Sequence, residues 1–396
     1  MNRLSDELMA SDSAIGIRQT VNGKRLFIVA GEISGDTHAS NLMREIVEQA
    51  PGTCFKGLGG PLMRKVAGEG VEDWLESAAV LGLVEVLARY SYFKKRMDDC
   101  LAAVTEEKPD AVILVDYPGF NLRLAKAIRD RDIDTRLLYY ISPQVWAWKK
   151  GRIKQMAKML DLMICIFPFE KPLYEKSGLR TVFAGHPMVD RVQTLRRPWQ
   201  REPGLVGWFP GSRLNEVKRL FPVMMQAAQV IRRSVPGARF AVSAANAALA
   251  SEMRAMADAA GMPEAIAWIE TGTVYDLMQR AETGAVASGT ATLEAACFGL
   301  PYALVYKVAG ATYLAAKVVV RIKFIGIINV LAGREVVPEL VQHLCSPERL
   351  AAAMVQMLTQ PETRAALQQD LASVVATLGE GGAYARAARA VLAALA

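Results

Sequence analysis

The stretch "GLVGWFPGSRLNEVKRLFPVMMQAAQVI", Gly204 to Ile231, decides the fold. An apolar run of strand length breaks at a Pro-Gly-Ser turn, and apolar residues then recur at helical spacing. A strand that passes to a helix through a tight glycine turn is the opening unit of a parallel α/β sheet. The turn also carries a chemistry. The first N–H groups of a helix have no intrahelical partner, and Arg213 adds a guanidinium, so the turn suits a phosphate. A helix end is worth about 0.3–1 kcal/mol to a surface charge, a charge-assisted hydrogen bond roughly 1.5–3 kcal/mol, so Arg213 supplies the larger contribution. Taken alone, the stretch also reads as a plain strand-to-helix turn with an exposed arginine.

The same unit recurs on both sides. Upstream, "RLFIVA" (25–30), "AVILVD" (111–116), "RLLYYI" (136–141) and "LMICIF" (162–167) each lead into a turn or an amphipathic stretch. Downstream, "ARFAVSAAN" (238–246), "TGAVASG" (283–289) and "LPYALVYKV" (300–308) repeat the pattern. Between the two series, "DRVQTLRRPWQREPG" (190–204) is polar, basic and twice interrupted by proline, which reads as a linker. The expected architecture is α/β, with two doubly wound Rossmann-like domains at 24–189 and 205–360 and a cleft between them. A tail at 1–23 precedes them. Alanine-rich helices at 361–396 return to the first domain or exchange between subunits.

Bulk properties narrow the function. The 396 residues are 52% hydrophobic and 22% charged, enough to fill two cores, and 47 basic against 40 acidic residues give a formal charge of +7. So mild a surplus suits phosphate-bearing small molecules or an acidic membrane face, not a nucleic-acid clamp. Five scattered cysteines form no C-x-x-C pair, and none of the three histidines stands at ligand spacing. No protein-built metal site and no cofactor are expected. Residues 1–24 lack the apolar core of a secretion signal, and "YLAAKVVVRIKFIGIINVLAG" is interrupted by Lys317, Arg321 and Lys323, so no membrane span is expected. The chain reads as soluble or resting on a membrane surface.

Five further stretches bear on chemistry. In "VASGTATLEAACFGLP" (286–301), Ser288, Gly289 and Thr290 open a helix after a strand, as a second pyrophosphate seat, and Glu294 lies one turn further along on the face of Thr290. A carboxylate there suits ribose hydroxyls. Together with Gly211, Ser212 and Arg213 this favours a nucleotide diphosphate, and the P-loop lysine pattern of an NTPase is absent. In "AGEISGDTHASN" (30–41) the acidic Glu32 and Asp36 oppose a pyrophosphate, so this turn reads as a sugar or hydroxyl site. Asp116 ends a strand before "YPGFN" and is well placed as a general base, or as a turn aspartate bonded to its own backbone. "AAVLGLVEVLARYSYFKKRM" (78–97) sets Val80, Leu83, Val84 and Leu87 beside Lys94, Lys95 and Arg96, which suits an anionic lipid surface or an ordinary core helix. Trp146 and Trp148, among basic residues, suit a phosphorylated amphiphile or the cleft wall.

In order along the chain, "GEISGD", "GLGGPLM", "LGLVEVL", "DYPGFNLRLAK", "YYISPQVWAWKKGRIK", "FPFE", "GHPMVD", "LFPGSRLNEVKR", "ASGTATLEAA" and "NVLAGREVVPELVQ" resemble the lipid-A-disaccharide synthase family. The resemblance covers nearly the whole chain after the first two dozen residues. It departs at Gly119, where many members carry aspartate, leaving Asp116 the only carboxylate of that turn. It implies a GT-B glycosyltransferase fold and an inverting, metal-independent hexosyl transfer from UDP-2,3-diacylglucosamine to 2,3-diacylglucosamine 1-phosphate (lipid X). It places Arg213, Ser288, Gly289, Thr290 and Glu294 in the UDP site, with Asn329, Arg334 and Glu335 also contacting donor. It further implies peripheral contact with the cytoplasmic face of the inner membrane, and a homodimer stays open. The residues themselves make Asp116 the first choice of base and Glu32 the second. A UDP-sugar 2-epimerase and a sugar-nucleotide or lipid carrier without turnover are the competing readings.

Overall fold

The computed structural model describes residues 23–78, 90–145, 151–310 and 323–396. Two parallel sheets organise them. The first takes β1 (Arg25–Ala30), β2 (Cys54–Gly59), β3 (Val71–Asp73), β4 (Ala111–Val115), β5 (Arg136–Tyr140), β6 (Leu162–Cys165) and β7 (Thr181–Phe183), in the order β3-β2-β1-β4-β5-β6-β7. The second takes β8 (Glu202–Phe209), β9 (Arg239–Ala244), β10 (Ile269–Thr271), β11 (Ala281–Ala287), β12 (Tyr302–Tyr306) and β13 (Glu339–Val341), in the order β10-β9-β8-β11-β12-β13. Strand order reverses between β1 and β4 in one sheet and between β8 and β11 in the other. Beyond the carboxyl ends of strands at such reversals, α/β sheets bind ligands. The glycine turn at 210–213, Ser288 to Thr290, Glu32 and Asp116 all stand at those four strand ends.

The sheets are apolar on both faces, as parallel sheets covered by helices must be. Along β1, Phe27 and Val29 enter one buried cluster while Leu26, Ile28 and Ala30 enter the other. Along β4, Val112 and Leu114 alternate with Ala111, Ile113 and Val115 in the same way. One of these clusters continues through Phe167, Met188 and Val192 into the core of the second lobe.

The segment read as a linker is largely structured. The helix Pro187–Leu195 occupies its first part and β8 begins at Glu202, leaving 196–201 as the crossing. Arginines anchor that crossing to carbonyls left over at helix ends. Arg196 donates to Cys297 O (2.9 Å), and Arg201 donates to Met278 O (3.1 Å) and Phe298 O (2.9 Å). Burial, with some help from Arg196, lowers the Arg201 pKa to about 10.

The C-terminal helices return within the same chain. The helix Pro361–Ala376 packs on the second lobe, and the helix Ala383–Ala393 lies along the helix Ile33–Gln49 of the first. Asp190 caps the start of that last helix by accepting from the N–H groups of Gly382 and Ala383. Among the described residues, no helix is long and apolar enough to cross a membrane.

Candidate functional site

The two glycine turns of the second lobe line one cavity of 410 Å³, which gathers Gly211, Ser212, Arg213, Ser288, Gly289, Thr290 and Glu294. Gly211 has φ +106°, a backbone that favours glycine, with the Glu216 carboxylate close beside it. Arg213 is the N-cap residue of the helix Leu214–Ser234. Its side chain is 76% exposed, held among the described residues only by Glu216 at 3.3 Å, and so is available to a phosphate. Gly289, at φ +146°, precedes the helix Thr290–Cys297. Two helix starts therefore present unpaired N–H groups to one cavity.

Glu294 is 9% exposed and accepts from Tyr275 Oη–H at Oε1 (3.0 Å), leaving Oε2 for a ligand hydroxyl. Burial raises its pKa, against the opposing pulls of that hydrogen bond and of Arg191.

Across the cleft, β4 ends in a strained loop. Asp116 and Tyr117 both have left-handed backbones, φ +45° and +46°, and Ile141 beyond β5 has φ +65°. Such residues cost about 1–3 kcal/mol each and persist only where the surroundings impose them. Here Asp116 N–H donates to Tyr140 O (3.0 Å), while Asp116 O accepts from Tyr139 Oη–H (2.6 Å) and Asn121 Nδ2–H (2.7 Å). Gly31 makes room for this loop, since a Cβ there would lie 2.3 Å from the Tyr117 ring. With its backbone so held, the Asp116 carboxyl faces the cleft. Burial first, and the charge of Glu32 second, raise its pKa from 3.8 to about 6. A carboxylate of that basicity suits proton abstraction near neutrality.

Asp116 lines a larger cleft of 720 Å³ that also includes Ser288, Gly289, Thr290 and Glu294, residues that line the 410 Å³ cavity as well. The two spaces therefore meet, with Asp116 on the first lobe and the glycine turns on the second. Glu32 acts on Asp116 by its charge and stands at the start of the helix Ile33–Gln49.

Other expected residues take different places. Asp36 is 2% exposed, and its carboxylate accepts from Gly60, Leu62 and Met63 N–H (2.9–3.0 Å), capping the helix Pro61–Ala67 instead of meeting a sugar. Asn329 is fully used within its own segment. It donates to Val337 O (2.8 Å) and Glu339 Oε1 (2.9 Å) and accepts from Val336 and Val337 N–H. Arg334 pairs with Asp370 at 2.7 Å and Glu335 is exposed, so these three stand apart from the cavity, although Ile325 and Ile327 from the same segment line the cleft. Arg96 is forked onto Glu72 (2.7 and 2.8 Å), while Lys94 and Lys95 are exposed. Val80, Leu83, Val84, Leu87, Trp146 and Trp148 lie outside the described residues.

Three cleft residues escaped sequence reasoning. Arg191 stacks over the Tyr275 ring (5.1 Å) and reaches across the lobes toward Glu294. Tyr384, from the last helix, bonds His38 Nδ1 at 2.9 Å. Burial and Arg191 lower the His38 pKa to about 4, so His38 stays neutral at physiological pH. His186 accepts from Met188 N–H and starts the helix that carries Arg191, and its "GHP" start was the one local sign available.

Comparison with known proteins adds a family. A family model described as Lipid-A-disaccharide synthetase matches residues 26–394. A lipid-A-disaccharide synthase of Geobacter metallireducens is 41% identical over 381 residues, covering 94% of this chain and 98% of that protein. One of Nitrosococcus oceani is 37% identical over 367 residues, covering 89% and 92%. Among solved structures, the glycotransferase of kitacinnamycin aligns with TM-score 0.58 at 15% identity, over 95% of this chain and 100% of that one. A UDP-GlcNAc 2-epimerase of Neisseria meningitidis, solved bound to UDP-GlcNAc, aligns with TM-score 0.56 at 10% identity, over 93% and 99%. At those identities the likeness is one of fold.

Proposed function

This chain belongs to the lipid-A-disaccharide synthase family, a glycosyltransferase family of lipid A biosynthesis with the GT-B fold, and from that premise we propose how its cleft performs the transfer. The donor is UDP-2,3-diacylglucosamine and the acceptor 2,3-diacylglucosamine 1-phosphate. The products are the β-1,6-linked tetraacyl disaccharide 1-phosphate and UDP.

The donor diphosphate lies against the turns at Gly211 to Arg213 and Ser288 to Thr290, with the ribose on Glu294. Inversion at the anomeric carbon requires the acceptor hydroxyl to enter opposite the departing UDP. Asp116 on the first lobe and Ser288 to Thr290 on the second line one cleft, which supports that arrangement. Asp116 takes the proton from the acceptor 6-hydroxyl as the new C–O bond forms. The bond to UDP breaks, and Arg213 with the helix N–H groups meets the charge that develops on its phosphate. Glu32, which raises the Asp116 pKa, is the second candidate for the base.

The observation that carries the reading is the meeting of the two cavities at Ser288, Gly289, Thr290 and Glu294. Mixing diacylated donor and acceptor with the protein and analysing products by mass spectrometry tests it. A tetraacyl disaccharide monophosphate and stoichiometric UDP are expected. Absence of both, or epimerised donor, would sink the proposal.

The basic flank at Lys94 and Lys95 and the apolar Val80, Leu83, Val84 and Leu87 support peripheral attachment to the cytoplasmic membrane face.

A further inference from the structure

Beside the Asp116 loop lie two cavities that the transfer mechanism leaves unused. One, of 480 Å³, is walled by Tyr90, Phe93, Met97, Tyr117 and Phe120, with Lys94 at its edge. The other, of 420 Å³, runs between the helices Pro118–Asp130 and Gly151–Met159 and is strongly basic. The two share Gly119 and Arg123.

Charge at the second cavity is not balanced. Lys126 is matched by Asp130, and Arg129 by Asp161 at 2.6 Å. Arg123, Arg152 and Lys158 make no hydrogen bond or ion pair among the described residues. Three cations thus surround one groove with its carboxylates already taken. The groove is also near the reacting centre, because Arg152 acts electrostatically on Tyr139, whose hydroxyl donates to Asp116 O. Space lies open at Gly119, where a Cβ would meet nothing within 4 Å.

Resting on the transfer reaction above, we propose that these joined cavities are the acceptor subsite. The apolar chamber takes an acyl chain, and Arg123 and Arg152, with Lys158 at the groove's outer side, bind the acceptor's phosphate monoester. A dianionic phosphate fits three unmatched cations, and the adjoining aromatic wall fits the chain that the same molecule carries.

The test replaces Arg123 and Arg152 together with glutamine. The acceptor KM should rise roughly tenfold for each charge-assisted hydrogen bond lost, with UDP affinity by calorimetry unchanged. Toward a diacylglucosamine lacking the phosphate, the variant should perform no worse than the parent. Gly119→Leu, which fills open space in a helix and should fold, is expected to plug the junction and weaken acceptor binding while sparing UDP. An unchanged acceptor KM, or equal losses with and without the phosphate, would overturn the proposal. So would loss of binding to anionic phospholipid vesicles with acceptor KM in micelles unaffected, since the cations would then serve the membrane. Equilibrium binding of the phosphorylated acceptor without donor separates this subsite from the reaction. Arginine-dependent binding by a protein that forms no disaccharide would support the subsite and refute the transfer, and no binding by the parent would refute the subsite.

Discussion

Replacing Asp116 with asparagine probes the proposed base through two properties at once. Burial and Glu32 move its carboxyl from 3.8 to about 6. At roughly 1.4 kcal/mol per pH unit, ionised Asp116 is about 3 kcal/mol less favourable in the fold than in the open chain, an upper value because the half-buried group keeps some contact with water. The sign follows from proton binding. Between about pH 4 and 6 the folded protein holds a proton that the unfolded chain has released, so stability falls as pH rises through that window and stays lower above it. Asparagine has the same shape, no charge, and a tolerance for the left-handed backbone found here. The variant should therefore be more stable than the parent at pH 8 by about 1–3 kcal/mol and close to it at pH 4. Its turnover should be lower by roughly a hundredfold or more. Urea unfolding at both pH values, beside UDP release at saturating substrates, reads these effects. In the parent, kcat/KM should rise through about pH 6 and level off above it, the acidic limb vanishing in the variant. Equal stability at pH 8 would contradict the raised pKa, and near-normal turnover would pass the base to Glu32.

Other perturbations test other parts. Arg213→Ala should weaken UDP binding by roughly ten- to a hundredfold in calorimetry, and an unchanged affinity would remove Arg213 from the diphosphate site. Tyr275→Phe deletes the donor to Glu294 Oε1, so the Glu294 pKa should rise further and the acidic fall of UDP affinity should move to higher pH; an unmoved pH profile would mean that Glu294 does not hold the ribose. Asp36→Ala should cost about 1–2 kcal/mol of stability through the lost cap while leaving turnover per folded molecule intact, and a selective loss of turnover would restore Asp36 to the site. Serine at Val80, Leu83, Val84 and Leu87 should reduce co-sedimentation with anionic vesicles, and identical sedimentation would argue against lipid contact through them.

Local chemistry made the sheets and the two glycine turns legible in the sequence. Strand, glycine turn and helix follow one another within a dozen residues, and Gly211 and Gly289 indeed have the positive φ that such turns use. Long-range partnerships were not legible. Asp36 stood in a turn that read as a sugar or hydroxyl site but caps a helix about 25 residues on, because the fold brings β2's end beside it. Arg191 lay in a stretch whose prolines and charges suggested a linker, yet the helix Pro187–Leu195 aims it between the lobes. Tyr384 reaches His38 only because the last helix crosses back to the first lobe. Asn329 sits in a motif the family resemblance tied to the donor, whereas its side chain is spent on its own segment.

The central claim is that UDP lodges across both glycine turns of the second lobe, with its leaving phosphate facing Asp116. A crystal structure of the protein soaked with UDP measures this directly. The diphosphate should lie within hydrogen-bonding distance of the N–H groups at Gly211 to Arg213 and Ser288 to Thr290, with ribose hydroxyls on Glu294. Nucleotide density elsewhere, away from both turns, would contradict it.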